Sequence, residues 1–129
     1  MKFLSVKEKQ ALAFETLKGQ FGYVNKMQSP KITKVVINSG VGSAKDKKKL
    51  VVVADRLAKI TGQKAAPRTA KISIASFRLR EGEVVGYQVT LRGQRMFDFL
   101  DKLLNIALPR TRDFRGLPIS KFDRFGNYS

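Results

Sequence analysis

The sequence contains no cysteine and no histidine. Their absence removes thiol nucleophiles, thiolate and imidazole metal ligands, and the usual proton shuttle near neutral pH, so neither a metal site, a cofactor nor an enzymatic function is expected. A disulfide-stapled secreted scaffold is excluded as well. No apolar run approaches the ~20 residues that span a bilayer. That lack, with apolar helical faces that fit a core, leaves no membrane partner expected. MKFLSVKEKQ at the N-terminus turns charged too early to hold the apolar centre of a signal peptide, so the protein is expected to stay where it is made unless a targeting segment was removed. Acidic residues are scarce, with 10 Asp plus Glu against 26 Lys plus Arg and a formal net charge of +16. Such a chain repels itself unless a polyanion is near, and nucleic acid is the first class of partner implied.

What remains for catalysis is carboxylates. Asp113 and Asp123 are the nearest candidates, but each sits among arginines and is expected to pair with them. With 43% hydrophobic residues in a chain of 129, a single domain over 1–129 is expected to build a core without metal or disulfide.

The apolar pattern alternates between helical and strand periods. Ser5 and Glu8 form a capping-box pattern that opens a helix, Phe14, Leu17 and Phe21 share its buried face, and Gly22 supplies a left-handed stop. KITKVVINSGVG (31–42) reads as a strand with Thr33, Val35 and Ile37 on the core side, and Ile32, Lys34, Val36 and Asn38 on a mixed face. A second helix is expected from Asp46 to about Gly62, with Leu50, Val53, Ala54, Leu57 and Ile60 as its stripe. KAAPRTAKISIASFRLREG reads as a strand followed by a long mobile loop. Val85, Tyr87, Val89 and Leu91 then alternate with Gly86, Gln88, Thr90 and Arg92, one face core and the other polar and basic. A third helix starts at Gly93, buries Met96, Phe97, Leu100, Leu103, Leu104 and Ala107, and breaks at Pro109. This order predicts an α+β fold: a largely antiparallel sheet with helices packed on one face and the other face left for RNA.

NSGVGSAKDKK resembles a phosphate-binding loop only superficially. Both glycine-rich fingerprints require a glycine at position 45, which is lysine, so the stretch fits a tight strand-to-helix turn whose glycines let the backbone approach an RNA phosphate. The basic loop from Lys64 to Arg80 mixes cations with Phe77, a combination suited to phosphates and an unpaired base. The final stretch, PRTRDFRGLPISKFDRFGNYS, keeps neither helical nor strand spacing among Phe114, Phe122, Phe125 and Tyr128, and reads as a surface that meets a partner.

Taken in order, NSGVG, ITGQKAAPRTAKISIASFRLREG, GYQVTLRGQRMFDFLDKLLNIALPRTRDFRG and FDRFGNYS resemble the bacterial-type family of large-subunit ribosomal protein five. The resemblance implies a non-enzymatic protein of the ribosome, bacterial cytoplasmic or organellar, that binds 5S rRNA in the central protuberance. It also implies contact with large-subunit rRNA, with peptidyl-site tRNA and with neighbouring ribosomal proteins, including a small-subunit protein across an intersubunit bridge. The alternative is a free-standing basic RNA chaperone or ribosome assembly factor. Carried onto this chain, the rRNA surface involves Lys34, Asn38, Ser39, Gly40, Gly42, Thr90 and Arg92. The tRNA-binding loop involves Lys71, Ser73, Phe77 and Arg78, and the bridge and RNA surface Arg110, Arg112 and Arg115. Two residues depart from the family pattern: Ser39 stands where methionine is usual, and Ile72 where a second basic residue is frequent. Family members continue past GNYS with a further strand and helix. The sequence stops at Ser129, so it is expected to be either a fragment or a naturally short form whose exposed sheet edge is covered by ribosomal neighbours.

Overall fold

The computed structural model describes residues 4–42 and 46–129. Helix α1 (Val6–Phe21) starts where the capping box places it: Ser5 Oγ accepts from the Glu8 N–H, and the Glu8 carboxylate accepts from the Ser5 N–H at 2.8 Å. Gly22 ends it at φ 64°. Strand β1 (Val35–Gly40) follows, then α2 (Lys47–Thr61), β2 (Ala66–Thr69), β3 (Val84–Leu91) and α3 (Gly93–Lys102). Asp46 caps α2 through the Lys48 N–H, and Gly62 closes it in the left-handed region. Among the described residues no helix is long and apolar enough to cross a membrane.

The three strands form an antiparallel sheet in the order β1-β3-β2. Because β3 lies in the middle and one of its faces is covered by α2 and α3, alternate residues disappear from solvent. Val89 and Leu91 are 1% and 0% exposed, and they meet Leu57, Ala65 and Met96. Val35, Ile37, Val53, Tyr87, Phe97, Phe99 and Leu100 close the rim of this cluster. The fold is therefore α+β with helices on one sheet face.

Several expected core positions differ. Thr33 precedes the first paired residue of β1 and is exposed. Ile60 is 57% exposed, while Thr61, four residues after Leu57, takes the buried place and donates its hydroxyl to the Leu57 carbonyl at 2.7 Å. Beyond α3 the chain widens into a π-helical turn over Leu103–Ala107, in which the Leu108 N–H reaches the Leu103 carbonyl five residues back. The wider turn rotates Leu104 and Ala107 outward and turns Leu108 in. Helix α1 packs on α3 and is held at its N-terminal end, where the Val6 N–H donates to Asp101 Oδ1 at 2.7 Å. Its far end leaves Phe21 63% exposed rather than packed.

Candidate nucleic-acid interface

Directly paired residues of an antiparallel sheet point to the same side, so the register defines the face that the helices leave open. Val36 lies opposite Thr90, Asn38 opposite Gln88, and Gly40 opposite Gly86. On the other edge Ala66 pairs with Gln88 and Arg68 with Gly86. The result is a polar surface: amides and a hydroxyl across the centre, two glycines bare of side chains at one end, and cations at the margins.

Two hydrogen bonds brace this face, one to a side chain and one to the backbone. Arg68 donates through Nε to the Gln88 side-chain oxygen, and Gln63 donates through Nε2 to the Thr90 carbonyl at 3.2 Å. Lys34 and Arg92 extend β1 and β3 and are exposed. None of the three strands contains an acidic residue. Among the described residues a single ion pair forms, Lys59 with Asp55 at 2.9 Å on the outside of α2, so Lys34, Arg68 and Arg92 keep their charges free of carboxylates.

Of the residues expected at an rRNA surface, Asn38, Gly40 and Thr90 share the open face, with Lys34 and Arg92 at its margin. Ser39 does not join them. It pairs with Tyr87 and is half-buried on the helix side, because successive residues of a strand alternate. Gly42 lies just past the strand in a turn. Gln88 and Arg68 belong to the surface as well, although neither is among the rRNA-binding residues that the family resemblance implies. Period-two alternation alone puts Gln88 beside Thr90, whereas Arg68 reaches the face only through the β2–β3 register.

The segment between β2 and β3 was expected as a long mobile loop. It is instead a hydrogen-bonded arm that continues the hairpin: the Ala70 N–H donates to the Glu83 carbonyl at 2.8 Å, and Ile74 and Leu79 exchange bonds of 3.1 and 3.2 Å. A short 3-10 turn at Ala75–Phe77 forms the tip, closed by Arg78 at φ 51°. Lys71, Ser73, Phe77 and Arg78 are all exposed along it, and Phe77 presents 71% of its surface. Ser73 Oγ also accepts from the Glu81 N–H at 2.9 Å, bracing the arm from within.

In the final stretch Arg110, Arg112 and Arg115 are exposed, as is every other residue from Thr111 to Ser129. Asp113 and Asp123 do not pair with these arginines. Asp123 instead organises a turn, with Oδ2 accepting from the Asn127 side-chain amide at 2.8 Å, and Oδ1 from the N–H groups of Asn127 and Phe125 at 2.8 and 2.9 Å. The Asn127 side-chain bond, followed by the backbone bonds, holds the Asp123 carboxyl below the usual carboxylate range. Above this turn the Phe122 and Tyr128 rings meet at 4.9 Å, inclined by 59°.

The sequence matches two family models in succession: ribosomal protein L5 over residues 25–80, and the C-terminus of the same ribosomal family over residues 84–129. Among curated relatives, the large ribosomal subunit protein uL5 of Desulfotalea psychrophila is 57% identical over 88% of this chain and 64% of its own length. The proteins of the same name from Mesoplasma florum and Flavobacterium johnsoniae are 56% and 50% identical, over 85% and 95% of this chain and 62% and 67% of theirs. The chain thus spans about two thirds of the length of the relatives it matches.

Proposed function

The chain belongs to the ribosomal protein L5 family, and from that premise we propose that it is a structural, non-enzymatic component of the large ribosomal subunit that attaches 5S rRNA through its open sheet face. The observation that carries the proposal is the acid-free surface of Asn38, Gln88, Thr90 and Gly40, with Lys34, Arg68 and Arg92 unneutralised at its edges. The cations supply affinity at phosphates, while the amides of Asn38 and Gln88 and the shape of the sheet supply selectivity. Exposed Gly40, on which a β-carbon would meet nothing within 4 Å, gives an RNA backbone room for close approach at that end of the sheet.

In the same proposal the β2–β3 arm presents Lys71, Ser73, Phe77 and Arg78 to peptidyl-site tRNA. A firm arm with exposed side chains suits this role, since little order has to be gained on contact. Arg110, Arg112 and Arg115 serve a neighbouring rRNA or an intersubunit contact, and the protein resides in the ribosome.

Binding to 5S rRNA beside a length-matched structured RNA, measured across a salt series, tests the reading. The wild-type chain is expected to prefer 5S rRNA at moderate salt, and Asn38→Ala and Arg92→Ala are expected to remove most of the preference. Equal binding of both RNAs that fades together with salt would overturn the sheet-face assignment and favour a general RNA chaperone.

A further inference from the structure

We propose that Phe21, Tyr23 and the turn that follows them form a second RNA contact, a platform for an unpaired base with lysines placed for its phosphates. The inference rests on the RNA-binding reading above but concerns a different part of the molecule, the connection from α1 to β1. Gly22, at φ 64°, reverses the chain so that the Tyr23 ring comes back against Phe21, with centroids 5.7 Å apart and planes inclined by only 14°. Offset stacking of this kind leaves Phe21 free to extend the stack, and it is 63% exposed.

The turn beyond is ordered without burying anything. The Gln28 side-chain oxygen accepts from the N–H groups of Val24 and Asn25 at 2.8 and 3.1 Å, and Asn25 Oδ1 accepts from Met27 at 3.0 Å. Gln10 on α1 ties the outgoing chain down by accepting from the Ile32 N–H at 3.0 Å. Yet Val24 and Met27 stand 87% and 77% exposed. A segment fixed by polar bonds that offers its apolar side chains to solvent is arranged for a ligand.

Charge selects the ligand class. From Thr16 to Asn38 the sequence has Lys18, Lys26, Lys31 and Lys34 and no acidic residue. Lys18, three residues before Phe21 on the same helix, lies over the Phe14 ring at 5.8 Å. Stacked aromatics in a stretch of chain that carries lysines and no acid match a single-stranded nucleotide, because each base offers a π-face and each phosphate a charge.

The chain has no tryptophan, so Phe21→Trp provides a reporter that keeps the stacking surface. Its fluorescence is expected to be quenched by a short oligoadenylate RNA and left unchanged by an abasic oligonucleotide of equal length. Phe21→Ala is expected to weaken oligoadenylate binding about tenfold, a typical loss for one stacked base, while abasic binding and far-ultraviolet dichroism stay as in the wild type. Arg92→Ala, tested on 5S rRNA in parallel, separates the two readings. If Phe21→Ala binds oligoadenylate normally while Arg92→Ala loses 5S rRNA, the platform is refuted and the sheet face stands. Quenching of the Phe21→Trp variant by oligoadenylate supports the platform even if 5S rRNA is bound no better than another RNA. Loss of a protein neighbour from reconstituted particles, with nucleotide binding intact in Phe21→Ala, would make the surface a protein contact and overturn the proposal.

Discussion

Gly40 and Gly86 face each other across β1 and β3, but the lack of a side chain matters differently at each. A β-carbon built on Gly86 would lie 2.8 Å from the Ser39 carbonyl oxygen, a backbone atom that can move only if the strands part. One on Gly40 would meet nothing within 4 Å. Gly86→Ala is therefore expected to destabilise the fold by about 1–3 kcal/mol, the usual penalty for forced overpacking, and to lose RNA binding with it. Gly40→Ala is expected to leave the melting temperature nearly unchanged and to weaken RNA binding alone, because the added methyl group projects onto the proposed RNA face. Thermal melts and titrations on the two variants check this. Normal binding by Gly40→Ala would mean that no RNA backbone comes close at that end of the sheet.

At the scale of elements, the Asp123 turn gives a pH dependence with a definite sign. Its carboxylate is the form that accepts the Asn127 and Phe125 hydrogens, and its folded-state value is depressed. The contribution to the turn is therefore fully present above the ordinary carboxylate value of about 4, and is lost as pH falls through the lower folded value. Nuclear Overhauser contacts between the Phe122 and Tyr128 rings are expected to persist at neutral pH and vanish in acid; in Asp123→Asn they are expected to be weaker at neutral pH and to lose that acid transition. Elements also differ in how far the sequence foretold them. Ser5, Glu8 and Gly22 for α1, and Asp46 and Gly62 for α2, act within a few residues of themselves, so their chemistry was readable locally. The open face was readable from alternation in β3, which separates Thr90 and Gln88 from Val89 and Leu91. Arg68 on that face, the pairing that stiffens the β2–β3 arm, the π-helical turn after α3 and the exposure of Phe21 depend on what lies across from each residue, which periodicity along one segment does not encode.

At the largest scale, the 129 residues have an accessible surface of 10901 Å², where a compact monomer of 14.5 kDa has about 6,900 Å². Much of the excess carries charge or exposed aromatics such as Phe77, Phe122 and Phe125. These 129 residues bury a small core, and anything that binds their folded form stabilises them. A ligand that binds only the folded state adds about 2.7 kcal/mol at a free concentration one hundred times its dissociation constant. Salt should then act with opposite signs on two observables. For the isolated chain, screening relieves the self-repulsion of +16 charges, so its melting temperature is expected to rise from low to moderate salt. For the RNA complex, salt removes the entropy gained by releasing counterions from phosphates, so the extra melting temperature conferred by RNA is expected to shrink over the same range. Differential scanning calorimetry with and without 5S rRNA reads both slopes in one series. A free chain that loses stability as salt rises would show that its cations are engaged in attractive contacts of their own; the lone Lys59–Asp55 pair among the described residues argues the reverse.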